Sequence, residues 1–298
     1  MRIFVTGATG FIGSRIVPQL LAAGHHVVGM TRSDAGAASL RAAGADAHFA
    51  TLEDLPSIQA GIEGADAVMH TAFDHDFSNF VANCEKDRRV IEAIGAVLKG
   101  SPRPLVITSG TGMGQAKPGE PATEDVFNPE HPNPRRLSEI TGQALLEEGV
   151  NVAVVRLPQV HDPVRQGLIT PFIALSKQNG RVAYHGDGRN RWPAVPVDDV
   201  ARLYRLAVEK AEPGMRYHGV AEEGVEVRDI ARVVGAGLGL PVVSVSGEEA
   251  QAHFGWLGMF AGVDMPASSA LTRQRLGWTP QGPSLLSDLE RMDYAAVG

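Results

Sequence analysis

The chain opens Met1-Arg-Ile-Phe-Val-Thr-Gly-Ala-Thr-Gly-Phe-Ile-Gly13, and the fold is decided there. Ile3 to Val5 form an apolar run that reads as a buried strand. Gly7, Gly10 and Gly13 follow at G-x-x-G-x-x-G spacing. Phe11, Ile12, Ile16, Val17, Leu20 and Leu21 then recur at helical intervals, with Gly24 at the far end. Strand, glycine turn and helix in that order suit the pyrophosphate of a dinucleotide. The first glycine allows the tight turn, the second lets the phosphates approach the backbone, and the third lets helix and strand pack closely. The free N–H groups and dipole of the helix N-terminus hold the negative charge. A glycine turn used only for packing is the alternative; its place after a strand and before a helix favours the nucleotide.

Outward from this unit, strand and helix patterns alternate. Strands are expected at Arg2–Thr6, His26–Met30, Asp46–Phe49, Ala67–His70, Leu105–Thr108 and Val152–Arg156. Helices are expected at Phe11–Ala23, Ala35–Ala43, Leu55–Ile62, Phe80–Lys99 and Arg135–Glu148. Asn133 is a candidate N-cap for the last of these, with Pro134 at its first position and Gly149 at its C-terminal cap. Such alternation implies an α/β fold, a Rossmann-type doubly wound parallel sheet covered on both faces. It loosens after about residue 160. Helices are expected at Ile169–Asn179, Asp199–Lys210, Val227–Leu238, Glu248–Phe254 and Leu285–Ala295. Gly186–Asn190 reads as a polar turn, Arg216–Val220 as a returning strand, and Trp256, Leu257, Met259 and Phe260 as an apolar cluster. The expected organisation is a dinucleotide-binding domain over residues 1–160 and a smaller mixed α/β substrate lobe over 161–298, some of whose elements return to the main sheet. Ligands of open α/β sheets bind at the C-terminal edge of the strands.

Composition sets the frame. Of 298 residues, 44% are hydrophobic and 20% charged, as in an ordinary globular protein. A net charge of −7 argues against a general nucleic-acid binder. The single cysteine, Cys84, excludes an internal disulfide framework, fits a reducing compartment and reads as a helix-face residue. The chain enters its first strand at once, so no signal peptide is expected. No apolar run is long enough to span a membrane. A cytoplasmic location follows as an expectation. Ten histidines are scattered without a His-Glu-x-x-His or a cysteine cluster, so no metal is expected.

The end of the second strand bears on the cofactor. An acid there suits the ribose of NAD, whereas an arginine suits the phosphate of NADP. The strand ends Val28-Gly-Met-Thr-Arg-Ser33, with no acid before Asp34. Arg32 offers a guanidinium, with Thr31 or Ser33 adding hydroxyls, so NADP(H) is favoured over NAD(H). The alternative is a solvated loop charge.

With these pieces in place, the chain resembles the extended or atypical short-chain dehydrogenase/reductases over nearly its whole length. Thr6-Gly-Ala-Thr-Gly-Phe-Ile-Gly13 is similar to the extended-family TGxxGxxG motif. Ala67-Val-Met-His-Thr-Ala72 resembles the loop that lines adenosine and ribose. Val106-Ile-Thr-Ser-Gly-Thr111 resembles the fifth strand with its serine-bearing tip. Val155-Arg-Leu-Pro-Gln-Val160 resembles the segment whose proline backs the nicotinamide. Gly186-Asp-Gly and Pro196-Val-Asp-Asp-Val-Ala201 resemble the stretch that shapes the substrate pocket. The cofactor contacts implied are Gly7, Thr9, Gly10, Phe11, Ile12, Gly13, Arg32, Leu52, Thr71, Ala72, Phe73, Leu157 and Pro158. A homodimer through the Phe80–Lys99 and Arg135–Glu148 helices is also suggested by the resemblance.

The departure lies at the catalytic pair. The family's usual Tyr-x-x-x-Lys places both side chains on one helix face, where the lysine lowers the tyrosine's pKa. Here the tyrosines are Tyr184, Tyr204, Tyr217 and Tyr294, and none has a lysine four residues on. Arg135 falls near the tyrosine's place and Glu139 near the lysine's. Arg135 can polarise a carbonyl or bind an anion. Equally, Arg135 and Glu139 can form an i,i+4 ion pair on a solvated face. In a second arrangement, His131-Pro-Asn-Pro-Arg135 gives His-x-x-x-Arg spacing, and His131 titrates near neutral pH. Ser109 and Thr111, at a strand tip, can hydrogen-bond a substrate oxygen or simply close a turn. His75 and Asp76, after the fourth strand, are candidate proton carriers. Asp76 again, with His161, Arg191 and Trp192, and beside them Arg189, are candidate substrate contacts, and surface ion pairing is the competing role for the arginines.

The resulting expectation is an NADP(H)-dependent oxidoreductase passing a hydride to or from a small carbonyl, imine or activated alkene. The rivals are a nicotinamide-binding sensor without turnover and a nucleotide-sugar epimerase or dehydratase.

Overall fold

The central strands of the computed structural model, which describes residues 1–297, are apolar on both faces, as a sheet covered by helices on both sides requires. Chain order is β1 (Arg2–Thr6), α1 (Gly13–Ala22), β2 (His26–Thr31), α2 (Asp34–Ala42), β3 (Asp46–Phe49), α3 (Leu55–Ile62), β4 (Ala67–His70), α4 (Phe80–Leu98), β5 (Leu105–Gly110), α5 (Arg136–Glu147) and β6 (Val152–Leu157). Then come β7 (Gln159–His161), α6 (Ile169–Asn179), β8 (Val182–His185), β9 (Arg191–Pro196), α7 (Val197–Lys210), β10 (Arg216–His218), β11 (Glu222–Glu226), α8 (Val227–Leu238) and β12 (Val242–Val245). The chain closes with α9 (Gly247–Phe254), α10 (Gly258–Ala261), α11 (Ala270–Leu276) and α12 (Leu285–Glu290).

Seven strands pair in parallel in the order β10-β6-β5-β4-β1-β2-β3, a doubly wound Rossmann sheet. The order reverses between β1 and β4, which opens a crevice at the C-terminal ends of those strands. One face packs Ile3, Val5, Ile16 and Leu20 against Val200, Leu203 and Tyr204 of α7; the other packs Phe4, Ile58, Ile91 and Ile107. Helix α7 and strand β10 thus belong to the main sheet although they follow residue 160. Helix α11 also packs on β10 and α7, with Leu276 and Trp278 in the main core, and the other elements form a smaller lobe. It has a three-stranded sheet β11-β9-β7, a two-stranded sheet β12-β8, and its own core around Phe172, Trp192, Ile230 and Phe254.

The structure differs from the sequence reading at several element ends. Helix α1 begins at Gly13, because Phe11 and Ile12 still belong to the turn. Helix α5 begins at Arg136. Bonds from Arg136, Leu137 and Ser138 N–H back to Asn133, Pro134 and Arg135 carbonyls wind its entry as a tighter i→i+3 turn. The Asn133 side chain still caps this turn, accepting the Arg135 N–H at 2.9 Å. The last expected helix stops at Glu290, and a short 3₁₀ turn, Tyr294–Ala296, follows, capped by Asp293. Strands β7, β8, β11 and β12 were not legible because each is short and its apolar alternation is weak, and β9 because Pro193 and Pro196 interrupt its strand pattern.

Candidate active site

The ends of β1, β2, β4, β5 and β6 open into one cleft of about 1370 Å³, roofed by the smaller lobe. At one end lies the glycine turn. Gly7 has φ +66°, and a Cβ there would stand 2.8 Å from the Ala72 nitrogen; a Cβ on Gly13 would stand 2.1 Å from the Gly7 carbonyl oxygen. Only glycine lets β1, β4 and α1 meet this closely. Helix α1 has no acid in its first turn and no side-chain cap. The N–H groups of Phe11 and Ile12 meet no acceptor among the described residues. These are the properties of an anion cradle, and a dinucleotide pyrophosphate fits it.

Arg32 lines the same end, exposed and with no carboxylate at ion-pair distance among the described residues. The neighbouring hydroxyls are engaged. Ser33 Oγ accepts the Gly36 N–H at 3.1 Å as the cap of α2, and Thr31 is buried beside it. The guanidinium is therefore free to donate at this end of the cleft. Arg165, which sequence reading did not single out, also lines the cleft and stands 5.7 Å over the Phe11 ring.

The centre of the cleft is held by a buried polar chain. His70 Nδ1 lies 2.8 Å from Thr6 Oγ1, and His70 Nε2 lies 3.0 Å from Asp87 Oδ1. The Thr6 oxygen in turn accepts the Thr71 and Ala72 N–H groups at 3.1 and 3.2 Å. These contacts aim Nε2 at the Asp87 carboxylate, to which it can donate, and Nδ1 at the Thr6 hydroxyl. Asp87 also accepts the Ser138 hydroxyl at 2.6 Å and pairs with Arg135 Nη1 at 2.6 Å. Burial alone would raise the Asp87 pKa. Arg135, His70 and Ser138 overcome it and hold the carboxyl at about 2. Arg135 lies 3.9 Å over the Phe73 ring and donates from Nη2 to the Thr108 carbonyl at 3.1 Å. It is a fixed cation in the cleft wall.

The expected Arg135–Glu139 pairing is not formed. Glu139 is turned away from the cleft and fully buried. It accepts Arg156 Nε and Nη2 at 2.8 and 2.7 Å, with Arg216 beside it at 3.3 Å. A buried carboxylate takes the bidentate partner that neutralises it in place.

His131, Ser109 and Thr111 line the same cleft as Arg135. The Ser109 hydroxyl is buried and has no partner among the described residues. His131 Nδ1 accepts the Asn133 N–H at 3.2 Å, so the neutral ring carries its proton on Nε2. That nitrogen faces Gly112, where a Cβ would lie 3.5 Å from it. Burial, and then the charge of Arg136, lowers the His131 pKa. His75 lines the cleft at its exposed rim with Nδ1 3.1 Å from the Phe73 carbonyl; the protein packed around its ring and then Arg135 lower its pKa too. A neutral His75 thus offers an acceptor where His131 offers a donor.

All thirteen expected cofactor contacts, from Gly7 to Pro158, line the cleft. Four expected substrate contacts do not. Asp76 faces solvent and caps a 3₁₀ turn, accepting the Ser78 N–H at 3.0 Å. His161 is fully buried, 2.7 Å from Asp288. Arg191 pairs with Asp264 at 2.7 Å, and Trp192 packs in the core of the smaller lobe, because β9 turns both into that lobe's sheet. Arg189 likewise stays at the surface near Asp187. Sequence reading missed His70, Asp87 and Ser138. Asp87 did leave a signal: it is an acid on the apolar stripe of α4, between Cys84 and Val90, where a charge needs a partner. Cys84 itself is buried there, its thiol pushed up to about 11. Among the described residues no helix is long and apolar enough to cross a membrane, and no cluster of three or more His, Cys, Asp or Glu is disposed to hold a metal.

The doubly wound sheet and glycine-cradled cleft define an NAD(P)-binding enzyme of the short-chain dehydrogenase/reductase type. The chain belongs to the NAD-dependent epimerase/dehydratase family, whose model it matches over residues 3–218. It is 50% identical over 295 residues to an uncharacterized protein of Schizosaccharomyces pombe, covering 99% of this chain and 100% of that one. An uncharacterized protein of Saccharomyces cerevisiae is 39% identical over 299 residues, covering 99% of each chain. Among solved structures, a dTDP-glucose 4,6-dehydratase of Streptomyces venezuelae with NAD bound superposes with a TM-score of 0.75 at 21% identity, over 99% of this chain and 96% of that one. At that identity the likeness speaks to the fold.

Proposed function

We propose that this protein is a cytoplasmic NADP(H)-dependent reductase of carbonyl compounds or imines, in which His131 and Ser109 serve where the family uses tyrosine. The observation that carries the reading is that one cleft is lined by His131, whose Nδ1 accepts the Asn133 N–H and leaves Nε2–H to donate, by Ser109, whose hydroxyl has no partner among the described residues, and by Arg135, held by Asp87. Bound in the cleft, a reduced nicotinamide would supply the hydride to the carbonyl carbon; the oxygen, gaining the C=O electron pair, would take its proton from His131 to give the alcohol and the oxidised cofactor. The protein's part is positional and electrostatic. The Phe11 and Ile12 N–H groups hold phosphates, and Arg32 holds the additional phosphate of NADP. Leu157 and Pro158 back the ring. His131 and Ser109 donate to the oxygen as charge develops on it, which is worth most in a dry, low-dielectric cleft. Arg135 adds the positive potential of its guanidinium. An imine that arrives protonated needs less from these donors.

The family match supports a nucleotide-sugar epimerase as a second reading, so UDP-glucose belongs in the test. The purified protein is titrated with NADPH and NADH, then offered aldehydes, ketones, imines and UDP-glucose. NADPH-dependent turnover of carbonyls or imines is expected. Tight NADPH binding without turnover moves the weight to a sensor, and preference for NADH removes the role of Arg32. Dimerisation through α4 and α5 is part of the same proposal and is read by sedimentation.

A further inference from the structure

The distal half of the cleft is built from aromatic rings. Phe73, which carries Arg135 on its face, meets Phe80 edge-on at 6.2 Å. Phe80 meets Phe77 at 5.3 Å. Phe77 lies flat against Trp256, with centroids 4.5 Å apart and planes 6° apart, and Phe260 closes the edge at 6.4 Å. The wall runs from the reacting centre to the rim and joins both lobes, since the first three rings come from the β4–α4 connection and its helix, and the last two from the C-terminal region. Trp256 keeps 42% of its surface exposed and Met259 keeps 51%, an apolar patch at the mouth of a cleft they both line.

The charges around this wall are cancelled or remote. Lys86 is held by Glu53 at 2.7 Å and Asp74 at 2.9 Å, and Arg135 by Asp87. Arg165 stands over Phe11 at the glycine turn. Lys117 has its side chain 78% exposed to water. A diphosphate requires uncompensated cations or a helix N-terminus; among the described residues the cleft-lining arginines and lysines without a carboxylate partner are Arg32, which follows β2, and Arg165, at the glycine turn, while Lys117 has Glu120 at 4.0 Å.

We propose that the distal half of the cleft selects a neutral, flat, apolar carbonyl compound, an aryl aldehyde or ketone whose ring packs on the Phe80–Phe77–Trp256 wall, and that it rejects nucleoside diphosphates. This rests on the reductase reading of the same cleft and names its substrate class. Ring-on-ring contact and apolar burial supply the selectivity.

Trp192 and Trp278 are each 1% exposed, so Trp256 is the tryptophan that reports on the cleft. The protein is loaded with NADP⁺, which permits binding without turnover, and titrated with 2-naphthaldehyde or UDP-glucose while tryptophan emission is followed. Naphthaldehyde should quench the emission, Trp256→Leu should remove the quench, and UDP-glucose should have no effect. With NADPH, kcat/KM for 2-naphthaldehyde should exceed that for glycolaldehyde by about 100-fold. Trp256→Leu should cut that ratio about ten-fold. Phe77→Leu probes the same stack from the other lobe should the first variant fold poorly. Equal kcat/KM for the two aldehydes, untouched by either variant, overturns the proposal while leaving the reductase reading intact, as does UDP-glucose displacing the naphthaldehyde. Quenching that depends on Trp256, with no carbonyl reduced, overturns the reductase reading and leaves the aromatic site standing.

Discussion

Arg135 Nη1 lies 2.6 Å from the Asp87 carboxylate, which ties the cation at the entry of α5 to the buried face of α4. Asp87 is itself held by His70 and Ser138, so the guanidinium is fixed by three elements of the fold before any ligand enters. Such preorganisation is what an electrostatic role in catalysis requires.

Removing one partner of this pair should therefore be severe. The Arg135 side chain is 13% exposed and that of Asp87 2%, so Asp87→Ala leaves a largely buried, unpaired cation and should cost about 3–5 kcal/mol. The double variant Asp87→Leu, Arg135→Met should recover most of that stability and none of the activity. Urea denaturation and NADPH oxidation separate the two effects; an unchanged unfolding midpoint for Asp87→Ala would contradict the account.

Acid should unfold the protein in two stages. His218 is buried with Nε2 3.1 Å from Arg156, and burial, then that arginine, holds its pKa at about 3 against 6.5. The folded chain keeps it neutral while the unfolded chain takes up a proton, so stability falls as pH drops from 6.5 towards 3. Asp87, at about 2 against 3.8, contributes stability that is full above its unfolded pKa and is lost as pH falls through 3.8 towards 2. That second loss is about 2 kcal/mol. His218→Gln should flatten the first stage in a series of urea midpoints against pH. An identical slope in that variant would assign the loss to other buried histidines.

His131→Gln should lower kcat by about 10²–10⁴-fold, the range for a lost general acid, with a smaller change in the KM for NADPH. The ring rests neutral, and giving up a proton to the substrate requires the imidazolium; because burial lowers the His131 pKa, that form is confined to pH below 6.5, so wild-type kcat/KM should still be rising as pH falls through 6.5, and the variant should lose that rise. Ser109→Ala, which removes the second donor, should cost about ten-fold or more in kcat. A His131→Gln enzyme with the wild-type pH profile would exclude the imidazole as donor.

Arg32→Ala should weaken NADPH binding by about 10–100-fold, the worth of a charge-assisted hydrogen bond to phosphate, and leave NADH binding nearly unchanged. Fluorescence titration of both cofactors measures this directly. Equal losses for the two cofactors would place the guanidinium at a shared phosphate instead.

The cofactor end of the cleft was readable because its determinants are local. Gly7, Gly10 and Gly13 sit within one turn, Arg32 directly follows β2, and Thr71 to Phe73 directly follow β4. Backbone geometry at each place is dictated by residues adjacent in the chain. The substrate end was not readable in this way. Trp256 and Phe260 stood out as an apolar cluster, but nothing near them in sequence shows that they meet Phe77. His161 and Arg191 sit beside motifs that suggest a pocket, yet each points to a buried or surface carboxylate.

The sequence by itself determined the doubly wound sheet, the dinucleotide cradle and the absence of the usual tyrosine and lysine spacing. Hydrophobic period and glycine placement act over a few residues, and local sterics leave them little choice. The tertiary structure decided which charge meets which. Arg135 pairs with Asp87 across the α4–α5 contact and not with Glu139 four residues on, because Glu139 faces Arg156 of β6. Those pairings follow from the β4-β5-β6 strand order, which brings helices far apart in the chain side by side. A buried charge takes whichever partner that packing presents.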